Sequence, residues 1–329
     1  MDLKKLYRGA GIFLMLLLSL ASCKKAEEET FTPETMSGTV EFDIPFYVQM
    51  GETVTLSASG IIDPKNANYK WYVSGVYVDT LTSNVVSVRF PDSIGVFIVS
   101  ANCYADGYYI NSTSQQVTTI DTSWNASITG LKASPQFIVD KRDGRAYRYI
   151  TAGELDWFCQ NLAWGGVPFK ASPVTAAYFG HFYTWEEAMD GDVCPEGWSV
   201  PTNEDWESLA EVLSGGIAVP FVDNWFGLGE KASAAVCLND ERMWPYSPDN
   251  SHTNDIGWNA MPLGYTFAGS KKFEGINEYG CWWSATEKND TQAYYRYIWY
   301  DLGDFPMAYT GKSDMRANVR CVRMHPQSL

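Results

Sequence analysis

The chain has 329 residues, 46% of them hydrophobic and 15% aromatic, with 24 Lys+Arg against 39 Asp+Glu and a formal charge of −15. That length exceeds one ordinary domain, and the composition excludes a disordered or collagen-like chain. An acidic balance without a basic stripe excludes nucleic acid as an expected partner, and three histidines leave little imidazole chemistry.

Residues 1–22 read as a secretory signal: a basic start (Lys4, Lys5, Arg8), an apolar run through Leu18, then Ala21-Ser22 before Cys23. The run is shorter than the roughly 20 residues a spanning helix needs. Leu20-Ala21-Ser22-Cys23 resembles the bacterial lipobox, which implies cleavage before Cys23 and acylation of that residue. Stably buried acyl chains would then tether the protein to the outer membrane. Residues 23–37 are polar, charged and aperiodic, a flexible stalk. Glu27, Glu28 and Glu29 behind the lipidated Cys resemble the surface-export signal of Bacteroidetes-type lipoproteins, so the expected location is the outer membrane with a surface-exposed face.

Residues 38–120 contain short β-type runs, among them Thr53-Val-Thr-Leu-Ser, Tyr69-Lys-Trp-Tyr-Val, Val85-Val-Ser-Val-Arg-Phe and Gly95-Val-Phe-Ile-Val-Ser. Their alternation and the turns at Gly51-Glu52, Asp63-Pro64 and Pro91-Asp92 suit an antiparallel sandwich. The stretch resembles an Ig-like or PKD-type module with Trp71 in its core and Cys103 as a buried thiol. Residues 121–136 are small and polar and read as a linker.

Residues 137–329 read as a second, α+β domain. Phe137 to Tyr147 is strand, two-residue turn at Asp143-Gly144, strand. Thr184-Trp-Glu-Glu187 and Thr202-Asn-Glu-Asp205 mark helix starts, the second only approximating a capping box. Trp206, Leu209, Ala210 and Leu213 follow at i, i+3, i+4, i+7, and Gly215-Gly216 ends that helix. Strands return at 281–284, 293–300 and 318–323. Six cysteines follow Cys23, none in CxxC spacing. Their pattern is consistent with full pairing or with one bridge plus buried thiols.

The ordered landmarks Asp140-Lys-Arg-Asp-Gly-Arg-Ala-Tyr147, Trp157-Phe-Cys-Gln-Asn-Leu162, Cys194-Pro-Glu-Gly-Trp-Ser-Val-Pro-Thr202, Gly257-Trp-Asn-Ala-Met-Pro-Leu-Gly-Tyr265, Trp282-Trp-Ser-Ala-Thr-Glu287 and Val319-Arg-Cys-Val-Arg323 resemble the FISUMP domain, the Fibrobacter succinogenes major paralogous domain family. The resemblance covers about residues 137–325. It implies a C-type-lectin-like fold, related also to formylglycine-generating enzymes, and a structural bridge between Cys194 and Cys321. Cys159-Gln160, where Ala-Glu is commoner, and an enlarged stretch at 231–256 depart from the pattern.

That stretch resembles the long ligand-carrying loop of C-type-lectin-like folds, so 239–258 is the first candidate surface. Asp240, Glu241, Asp249, Asn250 and Asp255 offer hard oxygens suited to Ca²⁺, with Asp240, Asp249 and Asp255 as the metal candidates. Trp244 and Tyr246 offer flat faces with polar edges suited to sugars or protein partners. The second surface is the late sheet at 287–312, with Tyr294, Tyr297 and Trp299. No HExxH or Gly-x-Ser-x-Gly motif supports hydrolysis. The expectation is therefore a lipid-anchored, adhesin-like binding protein without catalysis, whose C-terminal domain recognises a glycan or protein. The rivals are a structural component of a surface appendage, such as a pilus tip, and a formylglycine-generating-type oxidoreductase using Cys159 or Cys281.

Overall fold

The computed structural model describes residues 31–75, 83–123, 127–219, 222–270 and 272–326. Cys23, the expected leader and most of the stalk lie outside the described residues. Among those described, no helix is long and apolar enough to cross a membrane.

Eight strands come first: β1 (Ser37–Glu41), β2 (Tyr47–Gln49), β3 (Thr53–Ser57), β4 (Ser59–Asp63), β5 (Asn68–Val73), β6 (Val85–Arg89), β7 (Gly95–Tyr104) and β8 (Asn111–Ile120). They make a sheet of order β2-β8-β7-β5 and two ladders, β1 with β4 and β3 with β6. Alternation drives this: in β6, Val86 and Val88 turn inward between exposed neighbours, and in β5 Trp71 and Val73 do the same. Val40, Val48, Leu56, Trp71, Val86, Val99 and Val117 share one core. Cys103 sits in it as a buried free thiol.

The remaining elements are β9 (Ile128–Thr129), β10 (Phe137–Val139), β11 (Ala146–Ala152), β12 (Leu155–Phe158), β13 (Val167–Pro168), β14 (His181–Tyr183), α1 (Trp185–Ala188), α2 (Asn203–Leu213), α3 (Leu228–Ala232), β15 (Cys237–Leu238), β16 (Glu241–Arg242), β17 (Tyr265–Phe267), β18 (Phe273–Glu274), β19 (Tyr279–Asn289), β20 (Gln292–Trp299), β21 (Met307–Gly311), β22 (Met315–Asn318) and β23 (Val322–Met324). A four-stranded sheet runs β10-β11-β12-β23, and a larger one runs β13-β14-β22-β19-β20-β21 with β17 and β18 attached at β22. The chain is therefore mainly β with some short helix, where the expectation was a fuller α+β domain.

Both expected helix starts are found. Thr184 and Glu187 close a reciprocal capping box, and so do Thr202 and Asp205, because the Asp205 carboxylate still reaches the Thr202 amide at 2.9 Å. α2 buries Trp206, Leu209, Ala210 and Leu213. It ends at Gly215 and Gly216, both at positive φ, with the Gly216 amide donating to the Glu211 carbonyl at 2.8 Å. The β10–β11 turn is wider than the two residues expected. The Asp140 amide still donates to the Arg145 carbonyl at 2.8 Å, and Gly144 N–H donates to Asp140 C=O, so residues 141–144 form the loop.

The described residues 127–136 of the segment read as a linker are built into the fold. β9 pairs with β15, and Ile120 and Ile128 enter the larger core of the second half. Gly130 lies at φ +86°, where a Cβ would meet the Ala235 carbonyl oxygen at 2.2 Å, so only glycine permits that approach. Across the same junction, the Tyr47 amide donates to Ser172 Oγ at 3.0 Å and the Lys170 ammonium lies 5.2 Å from the Phe46 ring and 5.6 Å from Tyr47.

Cys194 and Cys321 form the disulfide that the family resemblance implied, closing a span of 127 residues. Such a loop is worth about 2–5 kcal/mol in the chain-entropy model. Cys103, Cys159, Cys237 and Cys281 are free. Beside the bridge, Arg320 is fully buried with no carboxylate partner among the described residues. Its guanidinium donates to Asn161 Oδ1 at 2.6 Å and to the carbonyls of Phe158, Trp258 and Asn259 at 3.2, 2.5 and 2.9 Å. It also stacks 4.5 Å from the Trp258 ring. Burial pulls its pKa down to about 9, still above neutrality, so the group remains charged.

Arg320→Met leaves these buried acceptors unpaired and is expected to remove about 3 kcal/mol or more from unfolding stability in urea. Arg320→Lys should recover little of it, since an ammonium lacks the planar fork. A loss under about 1 kcal/mol for the Met variant would contradict this role.

Candidate functional site

The loop expected to carry the ligand turns only part of its chain inward. Trp244 is 0% exposed and stacks on His252 at 4.9 Å between ring centroids, so it is a core residue and not a contact face. An indole in a turn-rich segment finds more apolar surface beneath the loop than above it. Ser233 Oγ lies 2.8 Å from His252 Nδ1. Asn254 donates to Asn259 Oδ1 at 2.7 Å, and Asn259 holds both the Lys132 amide and carbonyl at 2.9 Å. Tyr246 alone of the two aromatic candidates is exposed, at 77%.

Asp240, Asp249 and Asp255 are exposed, and among the described residues no group of three or more His, Cys, Asp or Glu is placed to hold a metal ion. The expected Ca²⁺ set is thus not assembled. The oxygen-rich composition serves the backbone instead: Asn239, Asp240, Asn254 and Asn259 all adopt positive φ, the conformation their short polar side chains tolerate best.

The late sheet splits its aromatics between two faces, as period-2 alternation requires. On one face of β20, half-buried Tyr295, Tyr297 and Trp299 border a buried cluster, with Tyr297 stacked 5.0 Å from Tyr279 and Trp299 edge-on to Tyr279 at 5.7 Å. Tyr294 lies on the opposite face, edge-on to Tyr309 at 6.2 Å with the Lys288 ammonium over both rings. Tyr294 therefore does not share a surface with Tyr297 and Trp299. On its face Arg296 is buried, 3.4 Å over the Trp225 ring, and donates to the Val222 carbonyl at 2.7 Å.

A larger concavity than these surfaces offer lies elsewhere among the described residues. A cleft of about 730 Å³ opens between β10 with its following loop (Ile138 to Arg142) and the turn around Cys194-Pro-Glu-Gly-Trp198, with Trp164 and Arg323 completing it. A smaller hollow of about 230 Å³ adjoins it through Trp164 and Asp192. The buried Asp140 carboxylate receives the Arg142 Nε–H at 2.9 Å and its terminal N–H at 2.6 Å. Burial would raise the Asp140 pKa, but the Arg142 hydrogen bonds outweigh it and hold the carboxyl below its ordinary value. Arg142 also lies 4.6 Å over Trp164 and donates to the Asp192 and Val193 carbonyls. On the floor, Arg323 lies 4.5 Å over Trp198 and 5.1 Å over Tyr149, tethered by Nε to the buried Asp156 at 3.0 Å. The disulfide fixes the Cys194 wall against the last strand, and Ser199 and Val322 exchange both backbone hydrogen bonds.

Sequence reasoning treated these segments as landmarks and not as a site. The available signal was their concentration of Trp, Arg and Asp in Asp140–Tyr147, Cys194–Thr202 and Val319–Arg323. The free thiols offered for redox work are deep: burial raises the pKa of Cys159 to about 11 and pushes Cys281 further up.

The Fibrobacter succinogenes major domain model matches residues 102–323. The chain belongs to that family. The match begins within β7, so this family's span takes in the end of the first β region as well as everything after it. No curated protein matches. Among solved structures, the Yersinia pseudotuberculosis adhesin InvE is similar at 13% identity, over 87% of this chain and 71% of that one, with a TM-score of 0.25.

The buried imidazole gives a pH test. Burial, reinforced by Arg242, lowers His252 to about 4 against the opposing pull of Glu230. The folded state therefore resists protonation that the unfolded chain accepts below its ordinary value of 6.5. The stability from neutral His252 is complete above that pH and falls away as pH drops toward 4. Relative to His252→Asn, which keeps a side chain suited to φ +47°, the native chain should lose about 2 kcal/mol more between pH 7 and 5. Parallel pH dependence of the two in thermal melts would contradict it.

Proposed function

We propose that this Fibrobacter succinogenes major domain protein is a cell-surface, adhesin-like binding protein, lipid-anchored at Cys23 in the outer membrane, which recognises a glycan or protein ligand without chemistry of its own. In this reading the first β region is an Ig-like module and the second a C-type-lectin-like domain that presents the ligand site. The observation that carries it is the cleft beneath β10, a concave pocket with indole surfaces at Trp164 and Trp198 and guanidinium groups at Arg142 and Arg323. Charged groups held in place beside indole faces can orient a ligand while the rings supply contact area. Deeply buried, high-pKa Cys159 and Cys281 favour binding over the thiol chemistry of a formylglycine-generating oxidoreductase.

A second reading, a subunit of a surface appendage docking on the first β region, is favoured by β5. That strand ends its sheet and carries Tyr72 at 58% exposure.

Anchoring is tested by metabolic labelling with radioactive palmitate in a bacterial host. Label should enter the native protein and not Cys23→Ala, and equal labelling of both would refute it. Recognition is tested with the detergent-solubilised full chain on glycan and protein arrays. Selective binding should fall at least tenfold in Trp164→Ala, while Tyr246→Ala and added chelator leave it unchanged. Binding indifferent to Trp164 would move the site away from the cleft.

A further inference from the structure

One wall of the cleft is the outer edge of a β-sheet. β10 ends the β10-β11-β12-β23 order and, among the described residues, pairs on one side only, with Phe137, Ile138 and Val139 opposite Arg148, Tyr147 and Ala146. The Tyr149 amide donates to the Gln136 carbonyl at 3.1 Å and the Asp140 amide to the Arg145 carbonyl at 2.8 Å. In an antiparallel ladder the residues that exchange hydrogen bonds alternate, so Gln136, Ile138 and Asp140 face β11. The N–H and C=O groups of Phe137 and Val139 therefore point outward, away from the sheet.

These two residues are 56% and 53% exposed, and both are apolar. Edge strands are ordinarily guarded by Lys, Pro, a bulge or a covering segment. β10 contains no Lys or Pro and keeps an unbroken register. The strand is short, but its Ile138 and Val139 both line the cleft, whose far wall is the Glu196-Gly197-Trp198 turn. Across the cleft, Lys141 and Glu196 make an ion pair at 3.1 Å between side chains that are almost fully exposed. Such a pair contributes little and would open readily.

Resting on the binding role proposed for this cleft, we infer that its ligand is an extended polypeptide segment, which adds to β10 as a further strand. Its backbone pairs with the outward amides and carbonyls of Phe137 and Val139. Alternate side chains fall on the Ile138 side, over the cleft and against Trp164 and Trp198. The backbone groups decide the class: donors and acceptors alternating at strand spacing match a peptide backbone, and a sugar ring offers no such repeat. The preferred segment carries apolar side chains at alternate positions.

The test selects a phage-displayed library of random 12-residue peptides on the detergent-solubilised full chain, then measures residue-resolved amide exchange with a selected synthetic peptide. The inference expects new protection at the Phe137 and Val139 amides, with Ile138, already in the ladder, unchanged. Val139→Pro removes an outward donor that β11 does not use and should weaken the peptide at least tenfold with an unaltered melting temperature. If that variant does not fold, the exchange measurement on the native chain decides. Failure to enrich any peptide, protection confined to another edge such as β5, or full affinity in a folded Val139→Pro variant would each overturn the inference. Trp164-dependent glycan binding with no peptide binding would also overturn it, while leaving the wider binding role intact.

Discussion

A buried guanidinium organises the second half of this molecule. The Arg320 guanidinium is held by one side-chain amide and three backbone carbonyls, with an indole face against it. Those acceptors come from segments far apart in sequence, Phe158–Asn161 and Trp258–Asn259, so satisfying one buried cation fixes three stretches of chain together. A buried charge in apolar surroundings is tolerated only when its hydrogen bonds are complete. That demand makes the arrangement specific, because a shifted loop would leave either the cation or a carbonyl unpaired. Asn161 Oδ1 accepts from Trp282 Nε1 as well, at 3.0 Å, which extends the network into β19.

The residues that follow Arg320 carry the order outward one position at a time. Cys321 joins the turn at Cys194, Val322 pairs with Ser199 and Trp157, and Arg323 reaches the cleft floor. The cleft is therefore an extension of the core, set on paired strands and a disulfide instead of a free loop. A binding surface on such a support loses little conformational freedom when it engages a partner. The same logic reaches the first β region, where Ile120 and Ile128 enter the larger core and β9 joins β15. The family match starting at residue 102 agrees with a unit that includes this junction.

Local features were legible in the chain itself. Alternating apolar residues marked most of the first eight strands, and the spacing of Trp206, Leu209, Ala210 and Leu213 marked the buried face of α2. Threonine and carboxylate three apart announced both caps, and Gly215-Gly216 the stop. Each of these rests on contacts within a few residues. The inward placement of Trp244 within 239–258 was not legible, for the opposite reason. Asn and Asp suit metal ligation and left-handed turns equally, and an indole suits a sugar face and a core equally. Which use prevails depends on what lies beneath the loop, namely Ser233, Lys132 and Asn259, all supplied from outside it or at its end.

By itself the sequence determined the family, the acidic and aromatic-rich character, the strand-dominated first region and the start and end of α2, since these follow from composition, ordered motifs and short-range periodicity. The tertiary structure decided that Trp244 is core, that Tyr294 and Tyr297 face opposite ways, and that 127–136 joins the fold. It also decided that the family landmarks Asp140–Arg142, Cys194–Trp198 and Arg323 line one cleft beside an open strand edge. Those outcomes depend on contacts between residues separated by dozens to well over a hundred positions, and on the requirement that every buried polar group find a partner, which no local pattern encodes.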